Sequence, residues 1–204
     1  MRLSRAVLGV MNTTRVSLLL RVRDRGDADA WRTFDAIYRP MLLRFAMAKG
    51  LGHDAAEEIA QQCMTAVGEH IGSFEYDPQK GRFKAWLRTM AHNKIRNYFR
   101  DRRSAQAESG QLRGLEDDSG APDEIFDKLW MQQHLWHCLG ELQREVEPVT
   151  YDACVAYVIE QKSVDEVCAA LNIKPNNLYT IKWRMTEKVA ERMRLLLDGA
   201  TDDL

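Results

Sequence analysis

The sequence lacks long hydrophobic runs. No apolar stretch in its 204 residues approaches the roughly 20 residues that a helix needs to cross a bilayer. Glycine (12) and proline (5) are also scarce, which excludes collagen-like and low-complexity chains. The four cysteines form no CxxC pair and lie within helical patterns, so we expect them to be reduced, apolar core residues of a cytoplasmic protein. They are Cys63, Cys138, Cys154 and Cys168.

The N-terminus is basic and partly apolar, but it does not have the pattern of a signal peptide. Residues 12–15 (NTTR) interrupt the apolar stretch, and no small-residue cleavage site follows. We therefore expect no leader and no membrane insertion. Met11 is an alternative start to Met1, and the sequence leaves both open.

The net charge of −1 conceals an asymmetry along the chain. Residues 1–110 contain 19 Lys and Arg against 12 Asp and Glu, whereas residues 111–204 contain 10 against 18. A near-neutral total argues against a nucleic-acid-binding protein, but such a difference between halves is itself a signal. The net charge alone therefore does not exclude a nucleic-acid-binding protein, and the position of the positive charge along the chain decides.

Hydrophobic periodicity is helical in almost every window, which predicts an all-α protein. The first helix should cover 27–49, be kinked or split at Pro40, and end at 50–52 (GLG). The second should begin at His53–Asp54, with Asp54 as its cap and Glu57 completing a pattern like a capping box. A loop at 73–81 precedes a third helix over 82–103.

Residues 104–122 are rich in serine, glycine and acidic residues and show no period, which predicts a flexible linker. Helical patterns resume from 125 and continue to 197. The sequence therefore predicts two small helical domains, 1–103 and 123–204, joined by this linker.

The third predicted helix carries most of the positive charge. Nine basic residues and a single acid lie between 80 and 103, interleaved with aromatic and amide side chains. Lysine and arginine neutralise phosphates, while aromatic and amide groups contact bases. The alternative is a solvated basic face, but such faces usually mix both signs. We therefore predict contact with nucleic acid here.

Residues 163–194 have the pattern of a helix-turn-helix. Ser163 and Glu166 predict a capped short helix, 172–175 (NIKP) a turn, and Pro175 the first turn of a longer helix. In that motif the start of the second helix meets base edges in the major groove. The residues concerned are Lys174, Asn176, Asn177, Tyr179, Lys182, Trp183 and Arg184. Two packed helices of an ordinary bundle are the alternative.

Other chemistry has little support in the sequence. His134, His137 and Cys138 lie close together, but no fourth ligand stands at a recognisable spacing, so we expect no metal site. Phosphate-loop, dinucleotide and nucleophile-elbow motifs are absent from the sequence. We expect no catalytic residues and no cofactor.

Three stretches resemble the extracytoplasmic-function (ECF) sigma factors of bacterial RNA polymerase, which are members of the sigma-70 family. They are W-x-x-F-x-x-x-Y-x-P at 31–40, AEEIAQQ at 56–62, and FEYDP at 74–78 followed by GRFKAWLR at 81–88 with Asn93 and Arg100. Cys168 and Asn172 depart from the alanine and glycine that are usual in the family, although asparagine also adopts a left-handed turn. The resemblance covers 16–103 well and 125–197 more loosely.

The resemblance implies a role for each surface. One helix would bind the β′ clamp helices of core RNA polymerase through Glu57, Glu58, Ile59, Gln61 and Gln62. The loop and the basic helix would melt and hold the promoter −10 element through Phe74, Tyr76, Lys80, Arg82, Lys84, Trp86, Arg88, Asn93, Arg96, Asn97, Arg100 and Arg103. The helix-turn-helix would read the −35 element and meet the β flap.

We therefore expect a non-enzymatic, cytoplasmic sigma factor whose partners are core RNA polymerase and promoter DNA. An anti-sigma factor is a further partner to test. The alternative is a stand-alone helix-turn-helix regulator, and a second is a small nucleic-acid-processing enzyme. The 57–61 segment argues against the regulator, and the missing metal or nucleophile constellation argues against the enzyme.

Overall fold

A computed structural model describes residues 16–74, 82–107 and 123–198, and all regular structure in these ranges is helical. Short turns of other helix types occur at Ile71–Ser73 (3₁₀) and Val155–Ile159 (π). The α-helices are α1 Val16–Arg21, α2 Ala28–Ala48, α3 His53–His70, α4 Arg82–Ala107, α5 Glu124–Leu142, α6 Pro148–Cys154, α7 Val164–Leu171 and α8 Pro175–Asp198. The predicted all-α class is confirmed.

Pro40 lies inside α2 without splitting it, so of the two predicted outcomes, a kink or a split, the split does not occur. Proline has no N–H to donate to the carbonyl of the residue four positions earlier, here Ala36. The Gln133 side chain from α5 donates to that carbonyl at 3.3 Å. Arg44 in turn donates to the Gln133 side-chain oxygen. A contact from a distant helix therefore satisfies the group that the proline leaves without a partner.

The cap of α3 differs from the prediction, although its start does not. The helix begins at His53 with Gly52 at the N-cap, and no side chain caps it. The predicted capping box of Asp54 and Glu57 is therefore wrong. Asp54 lies one residue inside the helix, where its side chain is fully exposed. Gly50, with φ of 93°, makes the left-handed turn that ends α2, as predicted.

A large aromatic core holds α1 to α4 together. Its fully buried rings pack edge-on or tilted against one another, with centroids 4.4 Å apart for Phe34 and Tyr38 and 5.5 Å apart for Tyr38 and Phe83. Phe126 and Trp130, from the first half of α5, are also buried in this core. The first half of α5 therefore belongs structurally with the N-terminal helices.

A second core, formed by smaller side chains, lies among α5 to α8. It is formed by Leu139, Leu142, Ala153, Cys154, Val167, Leu178, Ile181 and Met185. Leu139 and Leu142 come from the second half of α5, so one uninterrupted helix enters both cores. Cys63, Cys138 and Cys154 are buried as predicted, whereas Cys168 is only half-buried.

An ionic cluster fixes the start of α5 against α2 and α4. Asp123 caps α5 by accepting from the backbone N–H groups of Ile125 (2.9 Å) and Phe126 (3.1 Å). The same carboxylate lies 2.6 Å from Lys49 Nζ and 3.0 Å from His92 Nε2. Burial opposes its ionisation, but the Lys49 hydrogen bond and the cap prevail and hold the pKa of Asp123 below its usual range. Asp123 therefore joins three helices.

Helix α4 extends four residues beyond the predicted end at Arg103, into the segment predicted as linker. The remainder of that segment, 108–122, lies outside the described residues. None of the described helices combines the length and hydropathy that a membrane span requires.

Candidate nucleic-acid interfaces

Helix α4 is anchored along one side and open on the others. Phe83, Leu87, Ala91 and Ile95, each four residues after the last, are at most 6 % exposed and face the first core. The predicted DNA-contacting residues of α4 lie between these anchors and in the turns that follow the last of them. Those that the structure describes as exposed or half-exposed are Trp86, Arg88, Asn93, Arg96, Asn97, Arg100 and Arg103. Tyr76, Lys80 and the side chain of Arg82 lie outside the described residues.

Lys84 was predicted to contact DNA, but its side chain is committed inside the molecule. It is 9 % exposed, and its Nζ lies 2.9 Å from Asp127 Oδ1 on α5. The Lys84 ammonium group therefore neutralises the half-exposed Asp127 carboxylate of α5 rather than facing solvent. The charge of Lys84 in the first turn of α4 thus stabilises the fold. A count of basic residues in the sequence could not reveal this.

An aromatic edge lies between Phe74 and the first turns of α4. The Phe74 and Trp86 rings are 4.9 Å apart and tilted by 36°, and both are half-buried. Phe83 lies beneath them, with its ring 5.9 Å from Phe74. Arg23 donates to the Phe74 carbonyl, which fixes the backbone at Phe74. The two half-buried rings form a platform on which an unstacked base could be held.

The outer face of α3 is acidic and polar. Glu57, Glu58 and Gln61 are exposed there, while Ile59 is only 3 % exposed and packs in the core. The Gln61 side-chain oxygen accepts from Arg39 at 2.7 Å, and Gln62 donates to Glu58 at 3.1 Å. Of the five residues predicted to bind polymerase, Ile59 therefore supports the helix from within instead of presenting a side chain.

A groove of about 470 Å³ runs between this face and α2. Its lining combines carboxylates with an apolar strip and an arginine. Such a lining is complementary to a partner protein surface that is itself partly polar and partly apolar. The lining residues are Arg39, Pro40, Leu43, Asp54, Glu57, Glu58, Ala60 and Gln61.

The segment from α7 to α8 has the predicted local geometry. The Ser163 hydroxyl accepts from the Glu166 N–H at 3.2 Å, and the Ser163 N–H donates to the Glu166 carboxylate at 2.8 Å, so the capping box is confirmed. Asn172 adopts the left-handed conformation (φ 50°, ψ 47°) at the end of α7. Pro175 is the first residue of α8. Two consecutive helices joined by a three-residue turn are the result.

The start of α8 presents its polar and aromatic side chains to solvent. Tyr179 is 50 % exposed and Trp183 is 65 % exposed, while Leu178 and Met185 are buried at 1 % or less on the opposite side. Every residue predicted to contact the −35 element is exposed. They are Lys174, Asn176, Asn177, Tyr179, Lys182 and Arg184.

Tyr157, which the sequence analysis did not single out, reaches this surface from the π-helical turn. Its ring lies 6.3 Å from the Tyr179 ring and 5.4 Å from Lys182 Nζ. Residues 157 and 179 are far apart in sequence, so periodicity gave no signal of the contact.

The histidines near residue 134 are structural. His134 is buried, its Nδ1 bonds to the Trp130 carbonyl at 2.7 Å, and its Nε2 lies 3.4 Å from the Tyr38 hydroxyl. Burial lowers the pKa of His134 to about 4, so the ring is neutral at pH 7. Within the described ranges, no three His, Cys, Asp or Glu side chains are grouped as metal ligands would be.

Comparison with known proteins identifies related sequences. Residues 36–105 match sigma-70 region 2. The chain is 27 % identical over 188 residues to the ECF RNA polymerase sigma factor SigK of Mycobacterium sp. (strain JLS), covering 87 % of this chain and 88 % of that protein. It is 29 % identical over 171 residues to the RNA polymerase sigma factor CarQ of Myxococcus xanthus, covering 84 % and 92 %.

Two solved structures are also similar. CnrH in complex with the cytosolic domain of CnrY aligns with a TM-score of 0.37 at 20 % identity, covering 92 % of this chain and 99 % of that one. The sigma factor RpoE in complex with the anti-sigma factor NepR, from Bartonella quintana, aligns with a TM-score of 0.34 at 18 % identity, covering 80 % and 96 %.

Proposed function

We propose that this ECF sigma factor of the sigma-70 family divides polymerase binding and promoter recognition among α3, α4 and α8. The protein binds core RNA polymerase and directs promoter-specific initiation of transcription. The observation that carries this conclusion is the sigma-70 region 2 match, because residues 36–105 span both the acidic α3 face and the basic α4 helix. No covalent chemistry is required of the protein.

Polymerase binding is assigned to the groove between α2 and α3. Its exposed carboxylates and amides, from Glu57, Glu58 and Gln61, surround an apolar strip. A basic and apolar pair of helices would complement that lining. In the family, the helix that corresponds to α3 docks on such a pair, the β′ clamp helices of the polymerase. Arg39 supports the assignment because it holds Gln61 in place from α2.

Promoter opening is assigned to α4 and the aromatic edge. Unstacking a base costs a few kcal/mol, and stacking on an aromatic ring returns about 1–3 kcal/mol per base. The half-buried Phe74 and Trp86 rings supply such a platform. The exposed Arg96 and Arg100 would hold the backbone beside it, which is phosphate neutralisation without sequence reading.

Reading of the −35 element is assigned to the first turns of α8. Asparagine pairs with adenine and arginine with guanine in the major groove, while aromatic rings contact the thymine methyl group. Asn176, Asn177 and Arg184 are exposed on this helix, and Trp183 lies beside them. The linked readers raise each other's effective concentration on one promoter. The protein acts in the cytoplasm, where polymerase and promoter meet.

A run-off transcription assay with purified core polymerase tests the proposal. Promoter fragments selected from the source genome should be transcribed only when the protein is added. Glu58→Arg should abolish stimulation by reversing charge in the groove, and the exposed Glu69→Arg, at the other end of α3, serves as the matched control.

Two outcomes would contradict the proposal. If no promoter responds to the protein, it is not an initiation factor. If it binds the selected DNA equally well with and without polymerase, the stand-alone regulator is the better description. An anti-sigma factor would be recognised as a co-purifying protein that competes with core polymerase for the chain.

A further inference from the structure

The backbone between α6 and α7 is unusual in two consecutive places. Residues Val155–Ile159 form a π-helical turn, none of whose residues is fully buried. Gln161 follows with φ of 58°, a left-handed conformation that is costly for a residue other than glycine. π-helical turns and strained residues of this kind occur frequently at functional sites. Residues 156–159 pack against the second core but remain only half-buried, so part of each side chain stays accessible at the surface.

Tyr157, in the middle of the turn, is directed at the predicted reading face of α8. Its ring meets the Tyr179 ring nearly perpendicularly, at 76° with centroids 6.3 Å apart. Lys182 Nζ lies over the same ring, 5.4 Å from its centroid. Tyr179 and Lys182 are three residues apart, so they are neighbours on one face of α8. A single ring therefore contacts two of the side chains predicted to read DNA.

We propose that Tyr157 is a positioning residue for −35 recognition, which it serves by fixing Tyr179 and Lys182 before DNA arrives. A lysine side chain has many rotamers in solvent, and ordering it on binding costs conformational entropy. The negatively charged face of the tyrosine ring attracts the ammonium group and narrows those rotamers in the free protein. The inference rests on the proposed function, because it presupposes that α8 reads DNA.

Substitutions at position 157 separate the ring from the hydroxyl group. The measured quantity is the affinity of the holoenzyme, full chain plus core polymerase, for a selected promoter and for the same promoter with a scrambled −35 element. Tyr157→Phe keeps the ring and should stay within about two-fold of the parent. Tyr157→Leu removes the π face and should lose about three- to ten-fold in affinity, on the intact promoter only.

Fluorinated phenylalanines at position 157 keep the size of the ring while weakening its attraction for a cation. Affinity for the intact promoter should decrease stepwise with each added fluorine, and the thermal midpoint of the protein should not change. This series keeps the proposal testable even if Tyr157→Leu fails to fold. Tyr151→Leu, at another half-buried tyrosine of the same helical unit, is the matched control and should leave the −35 preference intact.

A double-mutant cycle identifies the route of the effect. In a Tyr179→Ala, Lys182→Met background, Tyr157→Leu should cause no further loss, because both side chains that it positions are gone. Fully additive losses would overturn the inference, and so would a fluorine series without effect. Failure of the proposed function looks different, because the parent holoenzyme would then bind the intact and the scrambled promoter equally well.

Discussion

The two cores of this protein are filled with different kinds of side chain. In the first core, rings of α2, α4 and α5 pack together, and Trp130 lies 5.4 Å from Tyr38 and 6.2 Å from Phe83. In the second core, no aromatic residue is fully buried among the described residues, and leucine, alanine, valine and methionine fill the space. Aromatic side chains bury more area each and pack with preferred geometries. Each ring of the first core therefore buries more apolar area than a side chain of the second core.

This difference extends to the two basic helices. Helix α4 faces the aromatic core and uses part of its charge internally, since Lys84 pairs with Asp127. Its His92 ring also lies against the Asp123 carboxylate. Helix α8 keeps Lys182, Arg184 and its large Trp183 ring exposed near its start. Further along, its Arg192 pairs with Glu141 and Glu145. Basic residues in a sequence therefore do not all mark DNA contact, because burial divides them into cations that stabilise the fold and cations that are available to a ligand.

The largest effect should come from removing a tryptophan of the first core. Trp130→Ala deletes a ring that is 1 % exposed and contacts both α2 and α4, so the free energy of unfolding should decrease by about 3–5 kcal/mol. Trp183→Ala removes the same side chain where it is 65 % exposed and should change stability by less than about 0.5 kcal/mol. Urea denaturation measures both, and equal losses would contradict the contrast between the two sites.

Acid should weaken the first core selectively. Burial lowers the pKa of His134 to about 4, against about 6.5 in the unfolded chain. Between these values the unfolded chain binds a proton that the folded protein does not, so stability rises with pH in that window. Lowering the pH from 7 to 4 should therefore cost up to about 3 kcal/mol.

The control for the pH effect is a side chain that does not titrate. His134→Gln should flatten the pH dependence of the unfolding free energy between pH 4 and 6.5, whatever its effect on stability at pH 7. An unchanged slope in this variant would show that another group titrates.

The sequence predicted what depends on neighbours along the chain. The Ser163–Glu166 capping box and the left-handed Asn172 are settled within a few residues, and both were confirmed. The effect of Pro40 was not predictable, because the group that satisfies the Ala36 carbonyl comes from Gln133 on another helix. The cap of α3 was misplaced by two residues, since a glycine N-cap carries no side chain that marks it.

The predictions for the candidate site also differ according to whether they depend on local sequence or on tertiary contacts. The exposed residues of α8 followed from helical period alone, because a helix with one buried stripe must expose the rest. Lys84 and Ile59 were assigned to contact surfaces, and the structure places both in the interior. Their partners lie across tertiary contacts, so neither composition nor motif spacing could indicate burial.

A smaller effect is expected for base reading by α8. Asn177→Ala should relax the base preference within the −35 element by about 1–3 kcal/mol, because one bidentate contact is lost. Arg194→Gln, an exposed change near the other end of the helix, should leave the preference unchanged. Selection of promoters by the holoenzyme from a library randomised at −35 measures both. Identical preferences for Asn177→Ala and its parent would show that other residues read the bases.

The smallest effects come from a pair of cations on α4, and they test the comparison most directly. Lys84→Gln should lower the unfolding free energy by about 1 kcal/mol, since its partner Asp127 is half-exposed and solvent weakens the pair. It should not alter the salt dependence of promoter binding. Arg96→Gln, on the exposed side, should have the opposite effects. The unfolding free energy should stay the same, and the slope of log K against log salt should decrease by about one.

The two measurements on this pair cannot both be explained by general damage to α4. A helix that merely loses order would lower stability and promoter affinity together in both variants. If Lys84→Gln reduced the salt slope, the Lys84–Asp127 pair would have to open when DNA binds, and the first turn of α4 would join the interface. An unchanged slope with reduced stability assigns Lys84 to the fold and leaves phosphate contact to the exposed arginines.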